Sequence, residues 1–184
     1  KGRNQYCWFR ASMRDKIAAR RRLGRELSQA IEYEQFSLVY QPIVDLATGE
    51  VCKAEALIRW NHPERGVVGP AEFIPFAEDS GVIDVIGDWV FNKAAQQVAI
   101  WQEQFRPDFQ GNINVSPVQF QAEASGITRW FQKLRELRVE GNSLIVEITE
   151  GLLMDVNTTV SRRLQSFQKS GIEVALDDFG TGYS

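Results

Sequence analysis

Val174-Ala175-Leu176-Asp177-Asp178-Phe179-Gly180-Thr181-Gly182-Tyr183-Ser184 closes the sequence, and the reading of this stretch decides the rest. Val174 to Leu176 is a short apolar run that predicts a buried strand. It leads straight into two adjacent carboxylates, Asp177 and Asp178. Ionised groups taken out of water without partners are costly or take up protons. A divalent cation removes that cost, because hard cations take carboxylate oxygens as ligands. The glycines at 180 and 182 supply a loop free to adopt unusual backbone angles. The competing reading is a strand that ends in a solvated acidic turn. The pair alone does not choose between the two.

Upstream of Glu173, the chain alternates. Thr158 to Gln168 has helical spacing and is closed by Gly171. Ser143 to Thr149 is a buried strand with Glu147 and Thr149 on one face. Ile127 to Leu137 is a helix. Gln110 to Ser116 is a strand with Asn112, Asn114 and Ser116 on one face, Ile113 and Val115 on the other. Ser116-Pro117 then fits a helix start, with serine as cap and proline at the first helical position. Asp84 to about Phe105 is a long amphipathic helix, and its Trp89, Phe91, Val98 and Trp101 read as core packing. Pro70 to Glu78 is a shorter helix, stopped near Gly81.

Two further strands precede these, Phe36 to Ile43 and Val51 to Trp60. The turn Asp45 to Gly49 makes them an antiparallel pair. In the second strand Glu55, Leu57 and Arg59 share a face, because strand side chains alternate. A glutamate between two alanines in mid-strand is out of character for a core strand, so Glu55 is a candidate ligand or a paired structural acid. Asn61 to Pro70 reads as a turn-rich loop, with His62 as a turn residue. Ser12 to about Tyr33 is an amphipathic connector or outer helix, carrying Ile17, Leu23, Leu27, Ala30 and Ile31. Tyr6 to Phe9 is strand-like. After the initial hairpin, strand–helix alternation predicts parallel strands with helices outside, an α/β fold.

The chain has 184 residues, 43% hydrophobic and 24% charged, enough apolar material for one core. A formal charge of -3 gives no basic footprint for a nucleic-acid polymer. Arg20, Arg21, Arg22 and Arg25 read as a solvated helix face. Cys7 and Cys52 make no disulfide framework, which suits a reducing compartment. No apolar run approaches the roughly 20 residues of a membrane span. A start at Lys1 is expected of a piece of a longer protein.

Glu55, Asn114, Glu147, Asp177 and Asp178 all fall at strand positions that point to, or end at, one rim, where barrel enzymes place their chemistry. Four carboxylates carry about four negative charges, which two divalent cations neutralise. Asn114 adds a neutral oxygen ligand. No cysteine lies among them, which excludes a zinc–thiolate site, and one histidine cannot build a His-based centre. Mg²⁺ or Mn²⁺ is the natural ion. Two such ions can activate a water and stabilise a leaving oxygen in phosphodiester cleavage. The competing reading is that these acids pair with Lys and Arg.

These motifs resemble the EAL domain family of cyclic-di-GMP phosphodiesterases. They stand as Tyr40-Gln41-Pro42, Glu55-Ala56-Leu57 with Arg59, Pro70 to Pro75, Asn114-Val115-Ser116, Glu147-Ile148-Thr149-Glu150 and Asp177 to Ser184. The resemblance runs from about Phe36 to the end. It implies a modified TIM-type (β/α) barrel with an antiparallel first strand, incomplete in this chain. It also implies hydrolysis of cyclic-di-GMP to pGpG with two Mg²⁺ or Mn²⁺ ions. By position, Glu55, Asn114, Glu147, Asp177 and Asp178 match the metal ligands, with Asp177 bridging. Glu150 matches a residue that anchors the loop starting at Asp178. Gln41, Leu57 and Arg59 match substrate contacts.

Residues 1–10 resemble the tail of a GGDEF domain, with a linker helix over 11–34 and the EAL portion over 35–184. The expected parent is thus a cytoplasmic GGDEF–EAL protein, with membrane anchoring elsewhere in it and a homodimer through EAL domains both open. The family pattern continues beyond Ser184 to a Lys and a Glu at the metal site, and about three more strands. The fragment alone is therefore expected to be inactive, with an open edge at its fifth long strand. The alternative functions are a catalytically inactive cyclic-di-GMP receptor and a regulatory module working with the GGDEF neighbour.

Overall fold

Alternating burial along Val51–His62 sets the architecture of the domain. Ala54, Ala56, Ile58 and Trp60 are buried, while the residues between them are not. One face of this strand therefore packs on helices and the other is left to the site. The computed structural model describes residues 23–27, 29–122, 126–154, 158–177 and 180. Its sheet runs in the order β1 (Phe36–Val44), β2 (Val51–His62), β4 (Gln110–Asn114), β5 (Leu144–Thr149) and β6 (Glu173–Asp177), with the short β3 (Gly66–Val68) paired to β2. β1 and β2 are antiparallel; β2, β4, β5 and β6 are mutually parallel.

Helices α1 (Pro70–Ser80), α2 (Ile83–Gln104), α3 (Pro117–Gln121), α4 (Ile127–Leu137), α5 (Glu150–Met154) and α6 (Thr158–Ser170) make the crossovers. Pro70 and Pro117 open α1 and α3, where a missing N–H costs nothing. Ser116 caps α3: its hydroxyl accepts from the N–H of Val118 at 3.1 Å and donates to Glu78 at 2.6 Å. Arg163 of α6 secures the same helix by donating to the carbonyls of Gln119, Phe120 and Ala122 at 2.5–2.8 Å. Aromatic side chains fill the layer between helices. Phe91 stacks on Trp130 with centroids 4.3 Å apart, and Trp130 lies over Phe167.

The structure departs from the sequence reading in four places. β2 continues to His62, and β3 folds back on it inside the segment expected to be loop. His62 is a buried strand-end residue. Its Nδ1 accepts from the N–H groups of Glu64 and Arg65, and its Nε2 faces Glu26 at 3.3 Å. α5 follows β5 directly and was not expected. β6 is less covered than its apolar run suggests, with Val174 36% and Leu176 44% exposed. Among the described residues only β5 pairs with it.

Residues 23–27 and 29–30 are helical, and Leu23, Leu27 and Ala30 are buried in the main core. The strand-like run Tyr6 to Phe9, the tail 1–10 and Ile17 lie outside the described residues, as do Asp178, Phe179 and 181–184.

Candidate active site

Parallel register places the polar side chains of four strands side by side. Glu55 of β2 is level with Asn112 of β4, and Asn114 is level with Glu147 of β5. Two residues further on, Thr149 is level with Asp177 of β6. Each of these alternates with the apolar residues of its strand, and Asn114, Thr149 and Asp177 are the last residues of theirs. Gln41 is opposite Glu55 across the antiparallel pair, and Leu57 and Arg59 follow Glu55 along the same face.

Two amide–carboxylate bonds tie the strands together. Asn114 Nδ2 donates to Glu55 Oε1 at 2.7 Å, and Asn112 Nδ2 donates to Glu147 Oε1 at 2.6 Å. Neither carboxylate is ion-paired to Lys or Arg among the described residues. Burial pushes the Glu147 pKa up, the bond from Asn112 works against it, and the charges of Glu55 and Asp177 push it further up. Three acids therefore share one face with amides as the partners of two of them. The competing reading, that these acids pair with Lys and Arg, is not met for Glu55 and Glu147 among the described residues.

Arg59 donates from Nη1 to the carbonyl of Ile58 at 2.9 Å. Glu150 begins α5, and its Oε2 accepts from the N–H of Gly180 at 3.1 Å. That bond joins the end of β5 to the glycine loop after β6. Asp178, the fourth carboxylate of the set, is outside the described residues.

The side chains present suit a hard cation in kind. All are oxygen donors: carboxylates of Glu55, Glu147 and Asp177, and amide oxygens of Asn112 and Asn114. Asn112 Oδ1 is buried and has no hydrogen-bond partner. An orphaned acceptor beside mutually repelling carboxylates is what a cation would satisfy. Among the described residues, no three acidic, His or Cys side chains yet converge on one point at ligating distance. Each Glu is instead drawn to its amide. Asn112 is the one member missing from the sequence-derived site. It was placed on the polar face, and only the β2–β4 register, which sets it level with Glu55, marks it out.

Residues 24–184 match the EAL domain family. The chain belongs to that family. MucR of Pseudomonas aeruginosa, a bifunctional diguanylate cyclase/cyclic di-GMP phosphodiesterase, is 37% identical to this EAL chain over 183 residues, 100% of this chain and 27% of MucR. PdeR of Escherichia coli, a cyclic di-GMP phosphodiesterase, is 38% identical over 183 residues, again 100% of this chain and 27% of the relative. The solved PaMucR phosphodiesterase in complex with c-di-GMP superposes with a TM-score of 0.82 and 36% identity, covering 89% of this chain and 66% of that one. The EAL chain thus spans about a quarter of the length of these curated relatives. Its fold is that of the EAL structures, which are TIM-like barrels, with the sheet not closed among the described residues.

Proposed function

We propose that this site, within the longer protein, hydrolyses one phosphodiester bond of cyclic-di-GMP to give linear pGpG. The observation that carries the reading is the row of Glu55, Glu147 and Asp177 on one face, the two glutamates with only amide partners. The activities named for MucR and PdeR agree with it. Water adds across one P–O bond; the phosphate keeps the new oxygen and a ribose hydroxyl leaves.

Glu55, Asn114, Glu147, Asp177 and Asp178 would hold two Mg²⁺ or Mn²⁺ ions. When bound, the ions supply an activated water and a countercharge for the leaving oxygen. Asn114 holds the Glu55 carboxylate in place through its N–H and keeps its own oxygen available. Glu150 fixes the loop that begins at Asp178 through the Gly180 N–H. Gln41, Leu57 and Arg59 contact the nucleotide, with the guanidinium suited to a phosphate oxygen.

The parent is read as a cytoplasmic protein with a GGDEF-like domain ending near residue 10 and a linker helix after it; the EAL match begins at residue 24, ahead of the expected boundary at 35. Among the described residues no helix is long and apolar enough to cross a membrane. Residues 1–184 in isolation turn over no cyclic-di-GMP. The edge of β6, unpaired on one side among the described residues, supports this, as does the further third of the solved MucR chain that they do not cover.

The test is a divalent-ion titration of the complete domain with cyclic-di-GMP. Turnover rises from nil with added Mg²⁺ or Mn²⁺, and Glu55→Ala lowers kcat/KM by more than about 100-fold. Turnover indifferent to chelator overturns the metal assignment. Tight nucleotide binding without turnover in the intact domain makes it a receptor instead.

A further inference from the structure

Register and hydrogen bonding run crosswise in the acidic row. Glu55 is level with Asn112, yet its Oε1 accepts from Asn114. Asn114 is level with Glu147, yet the Oε1 of Glu147 accepts from Asn112. One bond reaches forward along the strands and the other reaches back. Two residues along a strand is about 6–7 Å. Glu55 is thus drawn towards the end of β4, and Glu147 is drawn away from it.

Asn112 and Asn114 differ in their surroundings. Asn112 is 7% exposed, whereas Asn114 is an exposed strand end. Among the described residues the bond to Glu147 is the one hydrogen bond of the Asn112 side chain, since its Oδ1 has no partner. A half-satisfied buried amide is costly, and an aliphatic side chain of the same size would avoid that cost. What an aliphatic side chain could not supply is the N–H that reaches Glu147.

We infer that Asn112 is a positioning residue for Glu147: its Nδ2–H keeps hold of one carboxylate oxygen and leaves the other, Oε2, as the single oxygen offered to a cation. The inference rests on the proposed reading of the site as one that holds Mg²⁺ or Mn²⁺. A carboxylate free at both oxygens rotates among several orientations, and binding an ion must freeze them. With Oε1 held across the β4–β5 ladder, that freedom is already lost before the ion arrives. Partners that orient a ligand in this way tune its affinity for a metal. Asn114, although level with Glu147, is committed to Glu55 and leaves this task to Asn112.

The test measures Mn²⁺ binding by the complete EAL domain without nucleotide, from the electron paramagnetic resonance signal of the free ion. Asn112→Leu keeps the bulk of the side chain and removes the donor. The Kd for Mn²⁺ should rise about 10–100-fold. Asn112→Ser, whose side chain is one bond shorter, should raise it too, and it carries the measurement if the leucine variant does not fold. In a Glu147→Ala background, Asn112→Leu should change the remaining affinity by less than about twofold, because no carboxylate is left to position.

An unchanged or tighter Kd in the single variants overturns the assignment. So does an equal loss with and without Glu147, which would make the Asn112 amide a ligand in its own right or a support of the fold. If the wild type binds Mn²⁺ but hydrolyses no cyclic-di-GMP, the proposed hydrolysis fails while the Kd comparison still judges Asn112. If the wild type binds no Mn²⁺, the metal reading and this inference fall together.

Discussion

Asp84 shows how one carboxylate couples this fold to pH. It sits in the first turn of α2, where negative charge is favoured by the helix dipole. Yet its Oδ1 is buried without a partner. Burial raises its pKa, Asp88 adds to the rise, and Arg163 opposes it. A carboxyl whose folded pKa exceeds its unfolded value costs nothing below the unfolded pKa, where both states are protonated. The cost is complete once pH has risen through the folded pKa. Asp84→Asn should therefore stabilise the domain at pH 7 and leave it unchanged near pH 3. Urea denaturation of wild type and variant at both values checks this, and a gain confined to acid pH would contradict it. Glu55 and Glu147 belong to the same scale of argument. Their amide partners became visible only when the register of β2, β4 and β5 was known. Alternation in the sequence put the acids on a common face, because a period of two is readable from one strand at a time. It could not set Asn112 beside Glu147, because lateral pairing depends on how far one strand slides along the next.

At the level of elements, α3 is held by atoms outside it. It has only five residues, too few to be stable by itself. The Ser116 cap was legible from Ser-Pro, but the guanidinium of Arg163, 43 residues beyond Phe120, was not. Arg163→Ala should cost about 2–3 kcal/mol, since three carbonyl acceptors lose a charged donor. Arg163→Lys should recover only part, because an ammonium lacks the planar fork. Chemical denaturation measures both. The turn Gly141–Ser143 packs its first residue against the end of α6, where a Cβ would overlap the carbonyl oxygen of Ser170. Gly141→Ala should destabilise by about 2 kcal/mol or more, as the backbone on one side must move. The missed elements have physical reasons. β3 is three residues long and has no measurable period, and α5 starts on the residue after a strand, with no breaker between them. His62 was read from its turn-rich neighbourhood, whereas its ring organises that turn from within the core.

For the whole molecule, coverage of the sheet is uneven. The helix side of β2, β4 and β5 is closed by a continuous core. β6 is bare along one edge among the described residues, with Val174 and Leu176 partly exposed. Strand edges of this kind recruit other chains. Isolated residues 1–184 should therefore self-associate with rising concentration, and Leu176→Lys should reduce that association in sedimentation velocity. A monomer at all concentrations would show that the edge is protected. Glu26 works at the opposite end, bridging His62 and Arg65 at 3.3 and 2.8 Å and so joining the first helical segment to the β2–β3 hairpin. The strand order has one last consequence. β4 has neighbours on both sides, so its amide protons should be among the slowest to exchange with deuterium, while those of β6 should be among the fastest. Asn114 and Asp177 stand at those two extremes. Anything gripped by both would moor the loosest strand to the firmest, and the gain in protection along β6 would record its arrival.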